Sequence, residues 1–452
     1  MVSLSLRNSK LYVTCFLLFS SCANQGPITE FNQEKERGAV EEIQDDFVSD
    51  DFILFEDHTY KESIKTVQMY NSGVEQLSTP IFEVGSNSPL ILSFDDLSAE
   101  YANYYYTLIH CNSNWEPSGL IEPEFMEGFF PDLINTWQHS FNTIIDYIRY
   151  ELVIPNPNLR ITKSGNFILL VYEDNKDQPV LTRRFMVNEN QVGVEPFVRK
   201  SSVVQFRNYK QEIDFNVFLK NLEIPNPFRD VSIVVKQNGR WDNAIFDLKP
   251  QFIRNNTLEY NHERNNEFWG GNEFRKIDMK SMRYGTEEIN NFKQTDDGIQ
   301  VYLNPQKSRG YRQYLFEYDI NGKFLIRNDD GFDNKLEPEY MNVHFILEKS
   351  EPIENGDVYI LGELSEWKAK PAFKMKYDEE SLSYRASILL KQGYYNYHFA
   401  VLEDGKSEMD LSQLEGTHSE TVNEYGIFVY LRDRSLDYDR LIGIRQFSTQ
   451  NF

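Results

Sequence analysis

The chain has 452 residues, a formal net charge of −24 and an aromatic content of 14%. That charge excludes a surface made for nucleic-acid phosphates or anionic lipid headgroups, which call for Lys/Arg-rich patches that no segment supplies. Three cysteines exclude a disulfide framework, so folding must rest on packed cores, and the length leaves room for roughly two to four domains of ordinary size.

At the N-terminus, Arg7 and Lys10 precede an apolar run, Leu11 to Phe19, that ends in Ser20-Ser21-Cys22. A membrane-spanning helix takes about 20 apolar residues, and neither this run nor any later one is long enough. Residues 1–22 therefore read as an export signal, and Cys15 is lost with it. A small residue directly before Cys22 resembles a bacterial lipoprotein signal, in which Cys22 becomes the lipidated first residue. Phe19 departs from that pattern, and the other reading is ordinary signal cleavage with Cys22 discarded or inert.

Residues 23–55 are polar and acidic, with Glu34, Glu36, Glu41, Glu42, Asp45, Asp46, Asp50 and Asp51, and carry no sustained periodicity. They read as a flexible tether that lets a globular part stand off a membrane, the other reading being a disordered leader with no role.

From Ile64 onward, short β-rich runs take over. In the expected first domain, 56–190, strands are predicted at Leu90 to Phe94, Tyr104 to Ile109, Phe167 to Tyr172 and Val180 to Val187, the last two joined as a hairpin through Asp174-Asn175. Short helical pieces are expected at Asp132 to Trp137 and Thr143 to Tyr150. A second domain, 191–336, is predicted to carry strands at Val203 to Phe206, Ile213 to Phe218, Val231 to Lys236, Ile299 to Leu303 and Tyr314 to Tyr318. The third, 337–434, carries them at Val343 to Leu347, Val358 to Leu361, Tyr384 to Leu389, Tyr394 to Val401 and Gly426 to Leu431, leaving a tail, 435–452. The fold class is all-β: three β-sandwich domains, Ig-like or early-set in kind, in series after the signal and tether. Ile154-Pro155-Asn156-Pro157 and Ile224-Pro225-Asn226-Pro227 echo each other without establishing a repeat.

Catalytic chemistry finds little support. His58, His110, His139, His262, His344, His398 and His418 are scattered, and none has the spacing of a zinc motif. His110 and Cys111 are strand neighbours that point to opposite faces and cannot readily share a proton. No nucleophile elbow, phosphate-binding glycine loop or EF-hand occurs, and Trp269-Gly270-Gly271-Asn272 lacks the lysine and helix of a phosphate site. Acidic pairs such as Glu122 with Glu124, or Glu263 with Glu267, are what chance supplies among 70 acidic residues. Phe452 ends the chain as in many outer-membrane barrels, but Gln446 to Asn451 is too polar for a lipid-facing strand. The expectation is a non-enzyme with no cofactor and no metal.

Two resemblances follow from particular strings. Val358 to Trp367, with Gly393 to Phe399, resembles the glycogen-binding, early-set type of sandwich. In that family a tryptophan at the place of Trp367, a lysine where His398 stands and a second tryptophan near Lys406 grip the sugar. Only Trp367 is present here, which implies a vestigial sugar-binding position on a retained fold, with Trp367 a core or interface residue. Tyr105 to Trp115, Gly165-Asn166-Phe167 with Leu181 to Phe185, and Asn272-Glu273-Phe274-Arg275 through Asp278-Met279-Lys280-Ser281 to Arg283-Tyr284-Gly285 resemble the Bacteroidota type IX secretion system plug protein family over roughly Ile64 to Leu431. That resemblance implies a periplasmic protein that binds the SprA-type outer-membrane translocon barrel and closes its periplasmic end when no cargo shuttle occupies it. A lipidated Cys22 would add a membrane anchor. The absence of acidic residues in Ala23 to Pro27 favours the periplasmic side of the outer membrane. The alternative is a periplasmic or surface lipoprotein that binds glycan through its C-terminal domain.

Overall fold

The computed structural model describes residues 53–451 except 74–75, 87 and 129–130. The expected signal, Cys22, nearly all of the tether and Phe452 lie outside the described residues. No helix among the described residues is long and apolar enough to cross a membrane.

Two sheets form the N-terminal part. One runs His58–Thr59, Pro179–Asn188, Gly165–Tyr172, Tyr105–Cys111, Asp132–Leu133, with Ile81–Glu83 added parallel to Pro179–Asn188. The other runs Ile64–Asn71, Leu90–Asp96, Ile148–Ile154, Thr136–His139. Between them lie Phe94, Tyr150, Phe167, Leu169, Phe185 and their neighbours.

The strand Gly165–Tyr172 is buried at every residue. Side chains alternate across a strand, so Phe167, Leu169 and Val171 enter this first core while Ile168 points away from it into a second apolar layer. That layer is completed by a sheet ordered Ile245–Leu248, Val231–Gln237, Glu424–Asp433, Tyr438–Ser448. Its outward residues Val234, Phe428, Tyr430 and Leu441 meet Cys111, Trp115, Ile168 and Met186. Its inward residues Ile233, Val235, Ile427 and Val429 pack on Ile213, Phe215 and Val217 of a further sheet, Gly193–Lys200, Lys210–Phe218, Thr257–Tyr260, Phe252–Arg254. Four sheets are therefore stacked face to face, with three largely apolar layers between them.

The remaining apolar cluster belongs to an eleven-stranded assembly that includes Arg275–Asp278, Gly298–Leu303, Tyr340–Glu348, Gly356–Leu361, Ser383–Lys391 and Gly393–Glu403.

This topology corrects the serial arrangement of 191–336 and 337–434. Glu424–Asp433 pairs with Val231–Gln237 in the middle sandwich, and residues of the expected tail form its neighbour Tyr438–Ser448. Conversely, Gly298–Leu303 pairs parallel with Tyr340–Glu348 in the last sandwich. The middle sandwich is thus assembled from two separated stretches, because its central strand needs a hydrogen-bonded neighbour on each side.

Three local expectations also change. Asp132 to Trp137 and Thr143 to Tyr150 contain no helix. Thr136–His139 instead pairs with Ile148–Ile154 as an edge hairpin, and the Tyr147 hydroxyl donates to the Leu336 carbonyl at 2.9 Å, so tertiary contacts override local preference. Val204–Phe206 is a 3-10 turn, with Tyr209 N–H closing on the Phe206 carbonyl at 2.9 Å. Tyr314 to Tyr318 lies outside every ladder.

Phe428→Ala tests the second apolar layer. Truncating a fully buried aromatic costs about 3–5 kcal/mol, so urea unfolding should remain one transition with a lowered midpoint. Two separated transitions would show that the stacked sandwiches unfold independently.

Candidate functional site

Three features of the described residues stand out: a charged junction where the sandwiches meet, two clefts beside it, and an exposed aromatic segment.

The junction is built on the turn that carries Trp367. Gly362 ends the strand Gly356–Leu361, a 3-10 turn covers Glu363–Ser365, and Glu366 and Trp367 both take left-handed backbone, with φ of 55° and 58°. Such residues cost roughly 1–2 kcal/mol each and persist only where their surroundings overdetermine them. Here Trp367 N–H donates to the Gly362 carbonyl at 3.0 Å. The Glu366 carboxylate accepts Arg183 at 2.5 Å and the Thr59 hydroxyl at 2.8 Å, and also Lys370. Burial alone would raise the Glu366 carboxyl; Arg183, Lys370 and Lys368 outweigh it and hold that group well below the usual carboxylate range. Lys368 reaches the Asp57 carbonyl at 2.6 Å and the Glu56 carboxylate at 2.8 Å. The turn thus fastens the last sandwich to the N-terminal part.

Trp367 itself is half-buried. Arg240 of the middle sandwich lies 5.2 Å from its ring centre, Phe274 stands edge-on at 6.0 Å, and a Cβ on Gly322 would collide with the indole. Of the residues compared with the sugar grip, His398 is buried and stacked on Phe274 at 3.9 Å and Lys406 is exposed and pairs with Glu403; both line one cleft, and Trp367 is not in its lining. Burial lowers the His398 imidazole to about 4, so it is neutral.

A second contact between the two parts is fully buried: Asp95 of the N-terminal part accepts Lys391 at 2.5 Å and the Tyr340 hydroxyl at 2.7 Å. Burial lowers the Lys391 ammonium to about 8 although Asp95 supports its charge. A related knot explains Asn272 to Arg275. Arg275 and Arg309 both bind the buried Glu415 at 2.8 Å, Asn272 donates to the Glu415 carbonyl at 2.7 Å, and Phe274 N–H donates to Asp319 at 2.5 Å.

One cleft, of about 740 Å³, is lined by Phe206, Tyr209, Trp269, Asn272, His398 and Lys406 among others. Lys210 lies over the Phe206 and Trp269 rings, 4.3 Å and 4.7 Å from their centres. A second cavity, of about 310 Å³, lies between the sandwiches and includes Arg184, Lys236, Trp241, Glu363 and Trp367 in its lining.

The segment 310–320 runs over the surface without joining a ladder. Arg309 fixes one end on Glu415, Ile320 N–H donates to Asn396 at 2.5 Å at the other, and the Tyr314 hydroxyl holds Glu273 between them. Tyr311, Leu315 and Tyr318 remain 103%, 69% and 78% exposed. Tyr314 to Tyr318 looked like a strand because its aromatic run matches β-propensity, whereas no partner strand exists to pair it.

His110 and Cys111 do point to opposite faces. His110 packs on Phe167 in the first core, with Nε2 against the Ser164 carbonyl at 2.9 Å, and Cys111 enters the layer between sandwiches. Burial lowers His110 to about 4 and raises the Cys111 thiol to about 12, the opposite of an activated couple. No group of three His, Cys, Asp or Glu side chains among the described residues is placed to hold a metal ion.

Comparison with known proteins adds a relationship. Residues 64–189 match the family model of the type 9 secretion system plug protein 1st domain. The crystal structure of a hypothetical protein from Parabacteroides merdae superposes with a TM-score of 0.84 at 34% identity, over 88% of this chain and 100% of that one. The C-terminal domain of the antigen I/II-family protein AspA from Streptococcus pyogenes aligns with 85% of this chain and 99% of its own, at 7% identity and a TM-score of 0.15, which carries no argument. A search of curated proteins found no match.

Glu366→Gln removes the charge that three cations face. Breaking a buried pair costs about 3–5 kcal/mol, so the variant should unfold at lower urea at pH 7. A depressed carboxyl contributes stability above its unfolded pKa and loses it as pH falls toward the folded value. The gap between variant and wild type should therefore narrow below about pH 4.5; a gap unchanged between pH 7 and pH 3 would remove the carboxylate from the explanation.

Proposed function

We propose that this chain, which belongs to the type 9 secretion system plug protein family, is a non-enzymatic plug. It binds the SprA-type outer-membrane translocon barrel and closes its periplasmic opening when no cargo shuttle is bound. The observation that carries this reading is the family match over 64–189. The physical requirements of a plug are rigidity and an adhesive surface. Stacked sheets with buried ionic fasteners supply the first. The second is met by Tyr311, Leu315 and Tyr318, apolar side chains held outward on a tethered segment, since aromatic anchors dominate the energy of protein interfaces.

In this reading the protein works from the periplasmic side of the outer membrane. Acylation of Cys22 supplies the anchor and residues 23–55 the tether. Trp367 serves as a fastener between sandwiches, its ring being engaged by Arg240 and Phe274.

The test is a mild-detergent pull-down of the tagged protein from its own outer membrane, with mass spectrometry of what accompanies it. Recovery of a very large barrel protein without its shuttle is the expected result, and recovery of no barrel would overturn the assignment. The triple variant Tyr311→Ser, Leu315→Ser, Tyr318→Ser should recover at least tenfold less barrel at an unchanged melting temperature, because those side chains pack on little of their own protein. Undiminished recovery would move the contact surface elsewhere.

A further inference from the structure

Lys236 occupies a position that strand alternation reserves for the apolar layer between sandwiches. It lies two residues from Val234, on the same face of Val231–Gln237, and that face is otherwise apolar where it meets the N-terminal part. The side chain is 5% exposed. Its ammonium has three donors, yet among the described residues it makes no hydrogen bond and no ion pair. Its neighbours are the faces of Trp241, 4.3 Å away, and Phe428, 5.4 Å away. A buried ammonium without a hydrogen-bonded partner is costly, and ring faces offset only part of that cost.

The other cations of the surrounding cavity divide into two kinds. Arg183, Lys323 and Lys368 have carboxylate partners in Glu366, Glu424 and Glu56. Arg184 has none: its guanidinium donates to the Phe55 carbonyl and lies 4.5 Å and 5.4 Å from the ring centres of Trp115 and Trp241. Lys236 and Arg184 thus both face Trp241. Of the other acids in the lining, Asp57 accepts the Arg184 backbone N–H at 2.7 Å, Glu363 accepts the Phe324 N–H at 3.1 Å, and Asp242 pairs with Arg240 at 2.6 Å, and none of them bonds the Lys236 ammonium. The cavity of about 310 Å³ is also walled by apolar Met69, Met186 and Trp367, and it reaches solvent beside the exposed Glu363.

We propose that this cavity binds a small carboxylate with an apolar body, its carboxylate on Lys236 and Arg184 and its body against Trp241 and the methionines. Such a ligand would bridge the N-terminal part and the middle sandwich, so its binding would tighten the contact between them. The inference does not depend on the plug assignment, since it needs no barrel.

The charges around the site give it a pH dependence. Burial lowers Lys236 to about 7, against the support of Asp57 and with the opposition of Lys323 and Arg184. As pH falls from 8 to 6, Lys236 gains its charge, which favours an anion.

The experiment is calorimetric titration of the full chain with sodium benzoate, benzyl alcohol and sodium phosphate at pH 6 and pH 8, on wild type and Lys236→Met. Benzoate should bind wild type at least tenfold more tightly at pH 6 than at pH 8, and at least tenfold more tightly than it binds Lys236→Met. Benzyl alcohol binding as well as benzoate would mean an apolar cavity only, phosphate binding as well would mean a bare oxyanion site, and no binding of benzoate would mean no site; each overturns the proposal. Melting temperatures without ligand separate a binding lysine from a structural one. Lys236→Met should melt at the same temperature as wild type or higher, because it replaces an unpaired buried charge with a side chain of similar length. A clearly lower melting temperature would assign Lys236 to the fold and overturn the inference.

Discussion

The strand Gly165–Tyr172 has no solvent face, and the rest of the molecule follows from that. A β-sheet with one apolar face can end a domain; a sheet with two must be covered twice. The first cover is the sheet containing Leu90–Asp96, and the second is the sheet containing Val231–Gln237 and Glu424–Asp433. The second cover is itself apolar on both sides and so requires the sheet of Lys210–Phe218 beyond it. A hydrogen bond also crosses this layer, where the Tyr430 hydroxyl donates to Asn166 at 2.8 Å. Two sandwiches that could have been beads on a string are fused by an apolar layer between them.

The last sandwich is attached by different physics. Its junction is made largely of charges: Asp95 with Lys391, Glu366 with Arg183 and Lys370, Lys323 with Glu424. Buried ion pairs add little net stability compared with apolar packing, because desolvation cancels much of the Coulomb gain, but a misplaced partner leaves an unpaired buried charge. Such a junction therefore penalises alternative orientations of the sandwich more than it strengthens the correct one. For a protein proposed to act by obstruction, a fixed orientation matters as much as total stability. Lys236 and Arg184 depart from this rule, since neither has a carboxylate partner, and the ligand proposed above rests on that departure.

Strand positions were legible in the sequence wherever the apolar pattern was strong. Val343 to Leu347 and Tyr394 to Val401 fall inside observed strands, Tyr340–Glu348 and Gly393–Glu403. The misreadings share a cause, which is that aromatic residues suit several local structures and only a partner decides among them. Thr143 to Tyr150 became the approach to an edge hairpin, while Tyr314 to Tyr318 found no partner and stayed exposed. Trp367 stood out as a potential sugar contact, but the Arg240 that covers it comes from another sandwich, and nothing in the local string announces it. Lys236 had a faint signal: a lysine on the apolar face of a strand that otherwise alternates cleanly.

Composition and pattern were enough to establish an all-β chain, the place of most strands and, through particular strings, the family. The order of strands within sheets was settled only in the folded molecule. Period-two alternation says that a strand has an inner face, but it does not say which distant strand will supply the neighbouring hydrogen-bond ladder. That is why Glu424–Asp433 was assigned to the last sandwich by its position and belongs to the middle one by its pairing with Val231–Gln237. The charged junction is tertiary for the same reason, since Glu366 and Arg183 stand far apart in the chain and meet only because the sheets between them are stacked.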